Sequence, residues 1–95
     1  MSLGCLSVAI WEPLPGMEAA SLATIRELNV IIAKNGYGRD LLYRSGNNYV
    51  LLRYWNSEQA RLTAYEDPEL LRCWARLGNE IQILKVYEKL EEVGV

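Results

Sequence analysis

Hydrophobic positions recur along this chain in two periods, and the order of the periods predicts its elements. Residues 5–12 alternate: Leu6, Val8 and Ile10 face one way and Cys5, Ser7, Ala9 and Trp11 the other, a strand with neither face strongly polar. Pro13, Pro15 and Gly16 break it. Over residues 17–35 the period lengthens. Met17, Ser21, Ile25, Leu28 and Ile32 recur in steps of three and four, with Arg26, Glu27 and Lys34 opposite, which predicts an amphipathic helix stopped by Asn35-Gly36. Period two returns in residues 37–45 and 49–56, on either side of Gly46-Asn47-Asn48, as in a β-hairpin. The second of these strands sets Tyr49, Leu51 and Trp55 on one face and Val50, Leu52 and Tyr54 on the other. Apart from Arg53 it is apolar on both sides, the mark of a strand in the middle of a sheet. Tyr54, sharing a face with Val50 and Leu52, is expected to point toward the helices.

Asn56 or Ser57 can cap the next helix, with Gln59 at capping-box spacing from Asn56. That helix is predicted to run to about Glu66. Asp67 and Pro68 restart it as N-cap and first helical residue, and Leu70, Leu71, Trp74 and Leu77 form its apolar stripe up to Gly78-Asn79. Residues 81–90 alternate once more as a final strand, and Glu91 to Val95 are expected to fray. The order β-α-β-β-α-β within residues 1–95 predicts one α+β domain of ferredoxin-like topology. Its four-stranded antiparallel sheet carries two helices on one face, and right-handed crossovers place the first and third strands in the centre. The other face is then bare. An apolar face of that size marks an interaction surface, so a symmetric homodimer packed through the sheet face opposite the helices is expected.

Composition narrows the chemistry. Of 95 residues 51% are hydrophobic and 23% charged, which excludes disorder of the whole chain. A net charge of −2 with no basic block argues against nucleic acid or an anionic membrane as partner. No apolar run reaches the length of a membrane span, and no secretion signal is visible, so a cytoplasmic location is expected. The aromatics are three Trp and six Tyr with no Phe, a choice suited to interfaces and pockets. Two cysteines are too few for a disulfide framework, and there is no histidine. The commonest general base and the commonest metal ligand are thus absent, and no metal is expected.

Tyr54-Trp55-Asn56-Ser57-Glu58-Gln59-Ala60, followed by Tyr65-Glu66-Asp67-Pro68 and by Trp74, resembles the antibiotic biosynthesis monooxygenase domain of the dimeric α/β barrel superfamily. The resemblance spans roughly residues 5–90. It implies two subunits pairing their sheets, and a pocket in each between sheet and helices. It also implies, for some members, oxygenation of phenolic or quinol-like aromatics with no cofactor, neither metal nor flavin. Other members degrade haem or have no established activity. The haem-degrading pattern is not met: Tyr65 falls at its Trp position and Ala75 at its His position, and alanine cannot ligate iron. Its first-strand Asn is missing as well.

On this resemblance Tyr54, Tyr65 and Trp74 are candidates to line an aromatic pocket, and Arg53 or Asn56 to hold an anion. No residue matches a catalytic motif, so catalytic residues are unassigned. Each candidate also has a plainer role. Trp74 lies on a helical stripe and can be core. Arg53 can pair with a carboxylate across the barrel, including one from the partner chain. Cys5 and Cys73, with no histidine to activate them, read as buried thiols. An RNA-recognition domain shares this topology, but the basic-Gly-aromatic opening of its motif is missing and the chain is acidic. The alternative to an enzyme is a non-catalytic homodimer that binds a small hydrophobic molecule or serves a structural role.

Overall fold

The residues that alternate in the sequence do pair as strands. A computed structural model describes residues 5–95; the first four residues of the predicted domain lie outside it. In chain order the elements are β1 (Leu6–Pro13), α1 (Glu18–Lys34), β2 (Gly38–Ser45), β3 (Asn48–Trp55), α2 (Glu58–Ala64), α3 (Pro68–Leu77) and β4 (Ile81–Leu90). The second helical region is thus two helices, because Asp67 and Pro68 start a new one rather than extending the first. The four strands form one antiparallel sheet in the order β2-β3-β1-β4, with β1 and β3 central as expected. Residues 91–95 belong to no element.

Local chemistry accounts for the boundaries. Ser57, not Asn56, caps α2: its hydroxyl accepts from Ala60 N at 3.0 Å. Asp67 caps α3, accepting from Glu69 N at 2.9 Å, with Pro68 at the first helical position where no amide hydrogen is needed. Gly46 takes φ +61° at the first loop position between β2 and β3, the left-handed conformation such a tight hairpin demands.

The core lies between the sheet and the helices. Trp11, Leu28, Ile32 and Leu70 are its largest fully buried apolar side chains, joined by Tyr49, Leu51 and Trp55 from β3. Trp11 stacks on Tyr49 with ring centroids 4.6 Å apart, as their opposed positions in β1 and β3 allow. Helices therefore cover the odd-numbered face of β3. This corrects the expected direction of Tyr54. It points to the other face, 38% exposed, where Arg39 of β2 lies over its ring. Both faces of β3 are apolar, and alternation alone does not say which one the helices take. No helix of the described residues is long and apolar enough to cross a membrane.

Candidate functional site

A cavity of about 410 Å³ opens between the sheet and the α2–α3 region. Ser7 and Ala9 of β1, Leu51, Arg53 and Trp55 of β3, Tyr65, Leu71 and Trp74 from the helical side, and Val86 and Glu88 of β4 line it. That volume and a mostly apolar wall with few polar groups suit a small organic ligand.

The aromatic wall is continuous. Trp55 and Tyr65 meet edge to face at 5.9 Å, and Tyr65 and Trp74 at 5.8 Å. Such contacts contribute about 0.5–1.5 kcal/mol each beyond area burial, so they hold the rings in place. Trp55 Nε1 donates to Ser7 Oγ at 2.8 Å, and Ser7 in turn donates to the Glu88 carbonyl oxygen. The wall is thereby tied through β3, β1 and β4.

Arg53 is the buried cation of the site. Its Nε and Nη2 donate to the two carboxylate oxygens of Asp40 at 2.7 and 2.8 Å, and both side chains are more than nine-tenths buried. Asp40 sits directly opposite Arg53 in the β2–β3 register. The expected ion pair therefore exists within one chain, between neighbouring strands. The guanidinium also lies over the Trp55 ring, 5.5 Å from its centroid.

A second charged group adjoins Tyr65. Arg61 forks onto Glu58, Nε to Oε2 at 3.0 Å and Nη2 to Oε1 at 2.7 Å, and its Nη1 donates to the Tyr65 hydroxyl at 3.3 Å. Hydrogen bonds from Arg61 hold the Glu58 carboxyl down at about 2, helped by the Cys5 thiol and by Lys89 at 3.8 Å. The Arg61 guanidinium is pushed above its ordinary value, first by Glu58 and then by Tyr65. Cys5 and Cys73 are both buried and both raised, chiefly by desolvation, so neither is an activated thiol.

Of the five residues singled out from sequence, Arg53, Tyr65 and Trp74 meet at this cavity and two do not. Tyr54 lies on the opposite sheet face. Asn56 is exposed and donates to the Gly36 carbonyl oxygen at 2.6 Å, tying the end of β3 to the end of α1. Asp40, Ser7, Glu58 and Arg61 were not singled out. The signal for Arg61 was present as its spacing: three residues after Glu58 and four before Tyr65 puts all three on one helical face. Among the described residues no three His, Cys, Asp or Glu side chains gather as a metal site would require.

No protein-family model and no curated protein matches the chain. Solved structures do. SnoaB, a cofactor-independent oxygenase from Streptomyces nogalater, superposes with a TM-score of 0.76 at 19% identity, over 90% of this chain and 92% of that one. A protein from Pseudomonas aeruginosa gives 0.77 at 18% identity, over 99% and 98%. A protein from Chloroflexus aurantiacus, provisionally named an antibiotic biosynthesis monooxygenase, gives 0.75 at 14% identity, over 97% and 95%. The chain has the fold of these structures, the ferredoxin-like fold that the order of its elements predicts.

Proposed function

We propose that this chain is a cofactor-independent monooxygenase acting on a phenolic or quinol-like aromatic small molecule, bound in the cavity beside Trp55, Tyr65 and Trp74. The observation that carries the reading is the pairing of a fixed aromatic wall with a buried guanidinium in one cavity. The likeness in fold to a cofactor-independent oxygenase supports it.

The chemistry needs little from the protein. An anthrone-type substrate loses a proton to become an electron-rich anion. The anion reduces O₂, one oxygen stays on the ring carbon as a new carbonyl, and the other leaves as water with the two hydrogens of the former CH₂ group. All electrons come from the substrate. The protein stacks the flat ring, keeps water away and holds the anion beside a fixed positive charge. Arg53 supplies that charge; of its five N–H donors Asp40 occupies two.

The functional unit in this reading is a homodimer. The face away from the helices carries Leu6, Val8, Ile10, Leu41, Val50 and Leu52, with Tyr43 and Tyr87 56% and 43% exposed. A second copy applied face to face would cover it. One feature favours the non-catalytic alternative: Glu88 is the only carboxylate among the cavity-lining residues and is exposed, so no sheltered base faces the ligand.

Oxygen consumption with reduced anthrone- and quinol-type substrates tests the proposal. The expected result is stoichiometric O₂ uptake, lost in Arg53→Met/Asp40→Leu, which removes the cation without leaving an unpaired buried carboxylate. No uptake across such a panel, with the same aromatics still binding, would establish the non-catalytic reading.

A further inference from the structure

The polar groups that face this cavity differ in what remains available to a ligand. Ser7 has no hydrogen left to give: one lone pair receives the Trp55 indole hydrogen and its own hydrogen goes to the Glu88 carbonyl, so it can only accept once more. Trp55 Nε1 is engaged by the same contact. Arg53 has no acceptor atom. Tyr65 is the informative case. A phenol oxygen can both accept and donate, but arginine can only donate, so the Tyr65 oxygen is the acceptor in its bond with Arg61. Its own hydrogen must then point elsewhere. The ring packs edge to face against both Trp55 and Trp74, so the hydrogen is aimed by rotation about the C–O bond of a ring already held in place.

We propose that Arg61, itself fixed by Glu58, is a positioning residue that commits the Tyr65 hydroxyl to donate a hydrogen bond into the cavity. The cavity then selects flat aromatics bearing an oxygen acceptor, a carbonyl or a phenolate, over the same ring without one. Arg61 is not among the cavity-lining residues, so it acts through Tyr65. Its two-bond fork to Glu58 leaves Nη1 in one place, and Glu58 is held in turn by Cys5 and Lys89. This inference rests on the aromatic-cavity reading above and adds to it the hydrogen-bonding character of the ligand.

The test uses two probes of one shape, 9-fluorenone with a carbonyl acceptor and fluorene without it. Binding is read from quenching of tryptophan fluorescence in the wild type, Tyr65→Phe, Arg61→Gln and the double variant. Fluorenone affinity should fall about five- to tenfold in Tyr65→Phe, the worth of one neutral hydrogen bond. Arg61→Gln should cause a similar or smaller loss, and fluorene affinity should not change. In the Tyr65→Phe background Arg61→Gln should cost nothing further, since its effect passes through the missing hydroxyl. A merely structural role for Arg61 would weaken both probes alike. Equal fluorenone binding in all four proteins, or additive losses, would overturn the positioning role and leave the aromatic cavity standing. Failure of both probes to bind the wild type would overturn the cavity reading and this inference together.

Discussion

Replacing Asp40 with alanine should be the most damaging single change outside the apolar core. The side chain is 3% exposed and its partner Arg53 9%, so neither charge is relieved by water if the other is removed. Two unit charges about 4 Å apart attract by ~4 kcal/mol at an effective dielectric of about 20. Burial costs much of that back, so the intact pair contributes little net stability, but the broken pair leaves a desolvated cation in the sheet. The expected cost of Asp40→Ala is therefore about 3–5 kcal/mol. For a domain of this size that lowers Tm by roughly 12–40 °C, at about 4–8 °C per kcal/mol. Urea unfolding followed by far-UV circular dichroism at one fixed protomer concentration measures it, with Arg53→Met/Asp40→Leu as companion. The double variant removes both charges while keeping bulk, and should lie within about 1 kcal/mol of wild type or above it. A loss below about 1 kcal/mol in Asp40→Ala would refute the reasoning, because it would mean that Arg53 finds water or another acceptor when its fork is empty.

The remaining predictions concern the rim, a helix cap and the bare face. The Glu58 carboxyl, at about 2 in the folded chain against its ordinary 4.5, adds stability above pH 4.5 that is lost as pH falls toward 2. Urea midpoints of wild type should accordingly drop more steeply between pH 5 and 2 than those of Glu58→Gln, and parallel curves would show that the Arg61 fork adds nothing. Asp67→Ala removes the α3 cap and the acceptor of the Tyr37 hydroxyl at 2.7 Å, for a loss of about 1.5–3 kcal/mol, whereas Asp67→Asn keeps the cap acceptor and can donate its amide to the Tyr37 oxygen instead, and should cost less than half as much by thermal melting. Leu52→Glu places a charge on central strand β3 in the middle of the bare sheet face, and should convert a dimer to the 10.8 kDa monomer in sedimentation at micromolar concentration. A wild type that already sediments as the monomer would remove the interface.

What the sequence made legible was set by the physics behind each signal. The central position of β3 followed from a run apolar on both faces, and the break before α3 from Asp67-Pro68, two residues whose backbone chemistry is local. Which face of β3 the helices cover was not legible, since Val50, Leu52 and Tyr54 are as apolar as Tyr49, Leu51 and Trp55. Tyr54 was misplaced for that reason. Asn56 was misread because cap residues and ligand-binding amides look alike in one dimension, and the competition with Ser57 is settled only by backbone angles. The partner of Arg53 was hidden too. Asp40 lies 13 residues away, and only the hairpin register brings the two opposite one another. The cavity is a gap between elements, a property of packing that no periodicity encodes.

The order β2-β3-β1-β4 has a consequence for biosynthesis. Strand β1 is central, yet one of its two flanking strands is made of residues 81–90, with Leu6 set against Leu90. Translation at about 5–20 residues per second delivers the roughly 70 intervening residues over ~4–14 s. Once residue 55 has been made the hairpin of β2 and β3 can form and receive β1, but one edge of β1 stays open until β4 follows. An open edge on an apolar strand is a template for foreign pairing. Most of the β-structure can thus be built while the chain is still growing, whereas the closure that protects it waits for the last strand. Slowed translation between α3 and β4 should for this reason favour aggregation over folding, and a nascent chain ending before residue 81 should be the form that chaperones hold longest.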